Sequence, residues 1–322
     1  MGAGFVSEHA GRITAAITSG KSARSPLIAS WERSARLHRL DPATASTPGR
    51  ISDVELAQAR QVIEPLLIAA QPSLDRLFQA VGGVGCSVLL ADRNGVPVDR
   101  RGAMADDATF EQWGLWTGTV WSEEHEGTNG IGTCLMESRA LTIHRDQHFH
   151  ARDSALSCTT APVYDEHGEL AAALDVSSCR ADLTEGFVHL IAMAVADAAR
   201  KIEAEHFAQA FANARIVLAA GAEKGGSALL AVDRDDLVIG ATRAARLALG
   251  ITNATLARRI PAIDIMAQTG GDPETLDQAE RSVVQRALAR ASGNVTQAAR
   301  SLGISRATMH RKLNRLGLRC NA

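Results

Sequence analysis

The carboxyl-terminal stretch of this chain limits its fold more than any other segment. From Leu276 it reads LDQAERSVVQRALARASGNVTQAARSLGISRATMHRKLNRLGL, with apolar residues at helical spacing in three runs separated by two short breaks. Asp272 and Pro273 fit the cap and the first residue of a helix that ends at Gly293. The pattern therefore predicts three consecutive helices, the first of them amphipathic.

The second and third predicted helices begin at recognisable caps. Asn294 precedes the second helix with Gln297 three residues later, and Gly303 supplies a tight turn. Ser305 caps the third helix, on which Met309 and two leucines face inward. The opposite side is polar and basic, and it comprises Ala307, Arg311, Asn314 and Arg315, flanked by Arg306, Thr308 and His310. Such a face suits the groove of duplex DNA.

The charges of the chain are divided between two parts. Residues 276–322 contain nine Lys or Arg and two Asp or Glu, a net charge of +7, whereas the rest carries 25 against 34, a net charge of −9. A basic module of this kind predicts phosphate binding that weakens steeply with salt.

The segment GNVTQAARSLGISRATMHRKLNRLGL resembles the helix-turn-helix of the factor for inversion stimulation (Fis) and of the carboxyl-terminal domains of enhancer-binding activators. The resemblance implies that the chain binds double-stranded DNA as a two-fold homodimer, with the first helix contributing to pairing. His310 stands where Fis has a base-reading arginine. The predicted DNA-binding residues are Asn294, Thr296, Ser305, Arg306, Thr308, His310, Arg311, Lys312 and Arg315.

Length and composition indicate a globular protein of two or three domains. The 322 residues are 46% hydrophobic and 22% charged, as in ordinary folded chains. No apolar run approaches the roughly 20 residues that span a membrane, and the start lacks a signal-peptide pattern, so we expect a cytoplasmic protein without membrane contact. Five cysteines without a CxxC pair predict reduced thiols. Redox sensing by Cys134 or Cys158 is an alternative to buried structural roles.

The central region repeats one local pattern. CSVLLADRNGVPV and TAPVYDEHGELAAALDV each place β-prone residues around a D-x-x-G turn, which predicts antiparallel hairpins. SALLAVDRDDLVIGATRAARLALG repeats the arrangement, with Asp236 in place of the turn glycine. Two sheet-based modules are therefore expected.

The segment WSEEHEGTNGIGTCLMESRALTIHRDQHFHARDSALSCTTAPVYDEHGELAAALDVS resembles the GAF sensor domain of activators of the acetoin-catabolism-regulator type. The similarity extends upstream to RSPLIASWERSARLHRLDP and covers residues 24 to about 206. The expected class is α+β, with an antiparallel-sheet GAF domain, flanking helices and an all-α helix-turn-helix domain. The expected order is a helical lead at 1–80, a GAF core at 81–180, a connecting helix at 181–220, a shortened PAS-like segment at 221–265 and the helix-turn-helix at 272–322.

Activators of that type place an ATPase between the sensor and the DNA reader. Here no GxxxxGK[ST] phosphate loop occurs, and the 65 residues from His206 to Gly270 are too few for such a domain. The glycines and lysine of GAEKGGS stand in the wrong order. We therefore expect regulation without ATP hydrolysis, by repression, by recruitment of RNA polymerase or by DNA bending.

The GAF resemblance implies a cavity for a small organic effector between sheet and covering helices. Three tryptophans precede the segment GTNGIGT, whose glycines permit close backbone approach. The predicted effector-binding residues are Trp113, Trp116, Trp121, Thr128, Asn129, His144 and Cys158. The alternative is that these aromatic residues fill the core and the glycines form a turn into a helix.

His144, His148 and His150 raise the question of a metal site, since imidazoles four residues apart on a helix can share a metal ion. Asp146, Asp153 and His125 would be additional candidate ligands. Related sensors commonly have a histidine and a phenylalanine at the positions of His148 and Phe149 without a metal. We therefore predict no metal site and no cofactor.

A helix after the sensor carries apolar residues three and four apart, as in a coiled-coil seam, at Val188, Ile191, Val195, Ala198 and Ile202. It is expected either to pair in a dimer, with its symmetry mate or with helices around Ile63 to Leu77, or to pack on its own sheet. Together these patterns predict a sequence-specific transcription regulator, not an enzyme. Two alternatives are a ligand-independent architectural DNA-binding dimer and a GAF-fold methionine sulfoxide reductase using Cys134 and Cys158.

Overall fold

A computed structural model describes residues 3–44, 47–180, 184–219, 228–266 and 275–318. The chain divides into two compact units, Met1–Met266 and Ala267–Ala322. Within the described ranges, no helix is both long enough and apolar enough to cross a membrane.

The larger unit is built on a five-stranded antiparallel sheet in the order β2-β1-β5-β4-β3. The strands are β1 (Cys86–Asp92), β2 (Pro97–Arg101), β3 (Leu141–His144), β4 (Ser157–Tyr164) and β5 (Leu170–Ser178). Both predicted hairpins are confirmed, β1 with β2 and β4 with β5. Gly95 and Gly168 take φ values of +79° and +78° in their turns, which explains the glycine of each D-x-x-G sequence.

A second sheet in the same unit has three strands in the order β6-β7-β8. They are β6 (Arg215–Leu218), β7 (Leu229–Val232) and β8 (Val238–Ala241), followed by helices α9 (Arg243–Leu249), α10 (Asn253–Ala257) and α11 (Ala262–Met266). The third predicted hairpin is thus present, and Asp236 adopts φ +60° where the other two turns have glycine. The PAS-like assignment of this segment stays a prediction, and GAEKGGS lies outside the described residues.

One face of the five-stranded sheet packs on two long helices, α4 (Glu64–Val81) and α8 (Glu185–Ala210). The seam residues Ile191, Val195, Ala198 and Ile202 are buried in this core together with Val88, Leu90 and Leu174 of the sheet. The helix therefore packs on its own sheet, the second of the two predicted arrangements, and its apolar seam is not open for a partner. Its neighbour, α4, comes from the predicted segment around Ile63 to Leu77, in the same chain.

The other face of the sheet is covered by short helices, α5 (Asp107–Gln112), α6 (Glu123–Glu126) and α7 (Gly130–Glu137). Their apolar side chains pack on alternate residues of the strands. This second core comprises Leu89, Ala91, Phe110, Leu115, Trp121, Ile131, Cys134, Leu156, Cys158 and Ala173. We call the segment from Asp107 to Asp153 outside the sheet the cover.

The N-terminal part packs on the cover. It contains α1 (Ala3–Thr18), α2 (Pro26–Glu32) and a π-helical turn (Arg33–Leu37), whereas the next helix, α3 (Asp53–Val62), contacts α4 and β2. Ile13, Ile17 and Trp31 form a small core with Phe149, and the Trp31 Nε1–H donates to the carbonyl of Gln147 at 2.8 Å. We call the described residues 3–44 and 47–50 the lead.

The carboxyl-terminal unit contains three helices, α12 (Leu276–Arg290), α13 (Val295–Ser301) and α14 (Arg306–Arg315). Asn294 and Ser305 cap the second and third helices as predicted. Asp272 and Pro273 lie outside the described residues, and Thr275 caps the first helix in a capping box with Gln278. The core comprises Val284, Ala287, Ala291, Ala298, Ala299, Met309, Leu313 and Leu316.

Candidate nucleic-acid interface and interior of the larger unit

The outer side of α14 is the candidate nucleic-acid interface. The cap at Ser305 is tight, since its Oγ accepts from the backbone N–H of Thr308 at 3.1 Å and lies 2.9 Å from the Thr308 Oγ1. Met309 and Leu313 are buried, which turns the polar arc to solvent. The arc that the sequence predicted is exposed at Arg306, Ala307, His310, Arg311, Asn314 and Arg315. One helical side therefore presents cations and hydrogen-bonding groups, together with the small methyl group of Ala307.

Two basic residues of the predicted site contact the first helix of the same unit. The Lys312 ammonium and the Arg315 guanidinium each form an ion pair with the half-buried carboxylate of Glu280. Arg281 of α12 also donates to the carbonyl of Leu316 at 2.7 Å. These contacts hold α14 against α12, so Lys312 and Arg315 position the helix. Arg306 and Arg311, by contrast, form no ion pair among the described residues.

The predicted contact residues at the start of α13 are also exposed. The side-chain oxygen of Asn294 accepts from the backbone N–H groups of Thr296 and Gln297, both at 3.1 Å. This cap leaves the Asn294 amide nitrogen and the Thr296 hydroxyl at the surface. Both groups lie at a helix N-terminus, which favours phosphate oxygens.

The three tryptophans of the larger unit have separate environments. Trp121 is 1% exposed in the core under the cover, and its Nε1–H donates to the carbonyl of Gly114 at 2.8 Å. Trp116 lies under the guanidinium of Arg100, whose Cζ is 4.1 Å from the ring centroid. Trp113 is half-buried at the edge of the same core. The rings do not stack with one another in the described structure, so they do not form a shared aromatic box.

Thr128 and Asn129 hold the cover together. Asn129 caps α7, with its Oδ1 accepting from the Gly132 N–H at 2.8 Å and its Nδ2 donating to the carbonyl of Trp121 at 3.0 Å. The Thr128 hydroxyl lies 2.7 Å from that of Ser30 in the lead. Their polar atoms are therefore used within the protein, as in the alternative that makes this segment a turn into a helix.

The sheet presents a polar strip to the cover that the sequence analysis missed. The hydroxyls of Thr160 and Ser177 donate to the two carboxyl oxygens of Asp175, each at 2.5 Å, and Ser177 Oγ lies 3.1 Å from Cys158 Sγ. Burial raises the pKa of the Asp175 carboxyl to about 6. A single acidic residue within the apolar strand LAAALDVSS was the signal available.

The three candidate histidines do not share a helix, so that part of the metal hypothesis is wrong. His144 ends β3, with its Nδ1 2.9 Å from Ser157 Oγ, and His148 and His150 follow in a turn region. Burial lowers the pKa values of His148 and His150 to about 4. Over the described part of the chain, three or more His, Cys, Asp or Glu side chains nowhere cluster as a metal site would require.

The candidate cysteines are buried in the larger unit. Cys134 is fully buried and Cys158 is 4% exposed. Loss of hydration raises the pKa of both thiols well above the ordinary value, and nearby Asp175 adds to the effect. Both are therefore thiols at neutral pH. Cys320 lies outside the described residues.

Two families match the two units. The GAF domain family matches residues 65–202, and the bacterial regulatory proteins of the Fis family match residues 275–316. The chain therefore combines a GAF domain with a helix-turn-helix of the Fis family.

Two of the similar proteins are regulators of acetoin metabolism. The acetoin catabolism regulatory protein of Cupriavidus necator is 33% identical over 224 residues, which are 68% of this chain and 34% of that protein. The AcoR activator of the acetoin dehydrogenase operon of Bacillus subtilis is 29% identical over 55% of this chain and 29% of its own length. This chain thus matches about a third of the length of these relatives.

A further relative and one solved structure extend the comparison. The MimR activator of the propane 2-monooxygenase operon of Mycolicibacterium smegmatis is 33% identical over 43% of this chain and 23% of its own length. The E. coli DhaR(N)–DhaL complex contains a chain that is similar in fold, with a TM-score of 0.50 and 18% identity over 74% of this chain and 81% of that one.

Proposed function

We propose that this chain is a sequence-specific transcription regulator that binds duplex DNA through α14 and a small organic effector through its sensor unit, and that it controls catabolic genes. The exposed arc of Arg306, His310 and Arg311 on the capped third helix carries the DNA-binding part of the proposal. The operon names of the relatives support the catabolic role. Helix-turn-helix proteins bind paired half-sites on DNA as two-fold dimers, so the proposal includes a homodimer of this chain.

We also propose that regulation proceeds without ATP hydrolysis by this chain. The families match residues 65–202 and 275–316, and the described part between them holds a small sheet and short helices. The sequence contains no phosphate loop. Contact with RNA polymerase, or competition with it for a site, would then set the direction of regulation.

The reductase alternative is disfavoured by the state of the thiols. Reduction of a sulfoxide requires a nucleophilic thiolate, and burial keeps Cys134 and Cys158 protonated at neutral pH. A turnover assay with free methionine sulfoxide on the wild type and on Cys158→Ser tests this alternative, and we expect no turnover from either protein.

Genome-wide mapping of bound sites tests the proposal most broadly. We expect discrete sites beside catabolic genes for the wild type and their loss for Arg311→Ala. Binding spread evenly over the genome, unchanged by metabolites, would instead favour the architectural alternative.

A further inference from the structure

A cavity of about 390 Å³ lies between the lead and the cover. We call it the junction cavity. Its volume falls within the range of roughly 300–1,000 Å³ that is typical of small-molecule sites. Its lining includes Val6, Pro48 and Trp113 on the apolar side and Gln112, Arg152 and Asp153 on the polar side. Of the effector residues predicted from sequence, Trp113 lines this cavity.

Asp153 gives the junction cavity its chemistry. Its side chain is 3% exposed, and its hydrogen bond from the Arg152 Nε is long, at 3.4 Å. The guanidinium of Arg152 forms its closer ion pair with Glu126, which is also buried. The carboxyl of Asp153 therefore keeps acceptor capacity at a position that water hardly reaches, and such a group is costly to leave without a donor.

Two other buried carboxyl groups, those of Asp175 and Asp92, have their oxygens occupied. Both oxygens of Asp175 accept from hydroxyls of neighbouring strands. A larger groove of about 950 Å³ includes Asp92, but its two oxygens accept from Asn94 and Val96 within the hairpin turn. Gly130 also packs so closely that an added Cβ would lie 2.6 Å from Cys158 Cβ, which leaves little room under the cover.

We infer that the junction cavity is the effector site and that it binds a small aliphatic hydroxyl compound. The hydroxyl donates to Asp153, the Gln112 amide bonds a second oxygen, and the carbon skeleton lies against Trp113 and Pro48. This inference rests on the proposed effector-binding role and assigns that role to particular residues. Because the lining comes from both lead and cover, bound ligand would stabilise their contact.

The chemistry also excludes a class of ligand. Arg152 is paired with Glu126, so the described lining residues include no uncommitted cation to balance a second anion beside Asp153. A carboxylate of similar size should therefore bind much more weakly than a diol.

Isothermal titration of the full chain with 1,2-propanediol and 2,3-butanediol tests the inference, with propionate as the size-matched anion. We expect saturable binding of at least one diol and weak or absent binding of propionate. Asp153→Asn should weaken diol binding by about tenfold or more, and Ala43→Phe, which fills the cavity from the lead, should abolish it. Asp175→Asn, the matched buried carboxyl, should leave the affinity unchanged.

Three results would overturn the assignment: neither diol binds, propionate binds better than both, or Asp175→Asn weakens binding while Asp153→Asn does not. Heat-induced unfolding of each variant shows whether it is folded under the titration conditions. DNA binding is measured on the same preparations, so that failure of the cavity assignment is separated from failure of the proposed regulator role. Normal DNA binding with no diol response rejects the cavity assignment alone.

Discussion

Arg33 of the lead forms a two-point ion pair with Glu123 of the cover, with Nε 2.5 Å from Oε1 and Nη2 2.9 Å from Oε2. The Glu123 side chain is 1% exposed, and Ser30 donates to the same carboxylate at 3.2 Å. Arg33 also reaches Glu137 at 3.2 Å. Lead and cover are thus joined by a buried polar network in addition to the apolar contacts around Trp31.

Removing the arginine should destabilise the sensor unit strongly. Arg33→Ala leaves the carboxylate of Glu123 buried without its cation, so we expect the free energy of unfolding to fall by about 3 kcal/mol or more. Arg36→Ala is the matched control, because its ion pair with Glu32 is exposed and should contribute less than about 0.5 kcal/mol. Urea denaturation measures both, and equal effects would contradict the assigned network.

The basic residues of α14 should separate into two groups. Arg311→Ala should weaken operator binding by about 1–3 kcal/mol, with no change in thermal stability, if Arg311 reads a base. Lys312→Ala should lower stability by about 1 kcal/mol, because it loses the ion pair with Glu280. Fluorescence anisotropy with duplex DNA and thermal unfolding give the two quantities. Unchanged affinity and footprint for Arg311→Ala would remove that residue from the site.

Acid should destabilise the sensor through His148. Burial lowers its pKa to about 4. The hydrogen bond with the carbonyl of Arg145 and the charges of His9, His144 and Asp146 make smaller contributions of both signs. The unfolded imidazole takes up its proton first, at its ordinary pKa of 6.5. The contribution of His148 to the free energy of unfolding is therefore complete above pH 6.5. About 3 kcal/mol of it is lost as the pH falls to about 4.

The comparison with His148→Gln isolates this effect, because other buried groups also titrate. Asp153 and Asp175 have raised pKa values of about 6, so they favour the folded state at low pH and oppose the histidine. We expect the wild type to lose more stability than the variant between neutral pH and pH of about 4.5. Parallel pH profiles in chemical denaturation would show that His148 does not titrate in this way.

Glycine at position 236 should stabilise the protein, because the backbone there has a positive φ that glycine adopts more easily than aspartate. Its φ of +60° is unfavourable for a residue with a Cβ, although its carboxylate contacts exposed Arg215. Asp236→Gly should raise the free energy of unfolding by about 0.5–1 kcal/mol. Gly95→Ala is the opposite control, since its Cβ would lie 2.7 Å from the Ser122 nitrogen. Destabilisation by Asp236→Gly would contradict this account.

The parts of the fold that sequence predicted are those governed by local chemistry. The three hairpins follow from an aspartate whose side chain bonds the turn amides, as Asp165 does with the N–H groups of His167 and Glu169. The helices of the carboxyl-terminal unit follow from the caps at Asn294 and Ser305. In each case the residues that determine the structure lie within a few positions of one another.

The parts that sequence missed depend on contacts between distant segments. Arg33 and Glu123 are 90 positions apart, and nothing in either neighbourhood pairs them. Helical spacing at His144 and His148 misled because β3 ends at His144 and the chain then turns. The acceptor capacity of Asp153 could not be predicted either, because it depends on Arg152 pairing with Glu126 across the cover.

The salt dependence of DNA binding by the purified chain tests the central claim most directly. Anisotropy titrations with a mapped site and with random duplex, from about 50 mM salt upward, should show the logarithm of the affinity falling linearly with that of salt. The slope should be about −0.9 for each phosphate contacted, and the mapped site should bind more tightly. A folded protein that binds neither duplex at low ionic strength would contradict the account.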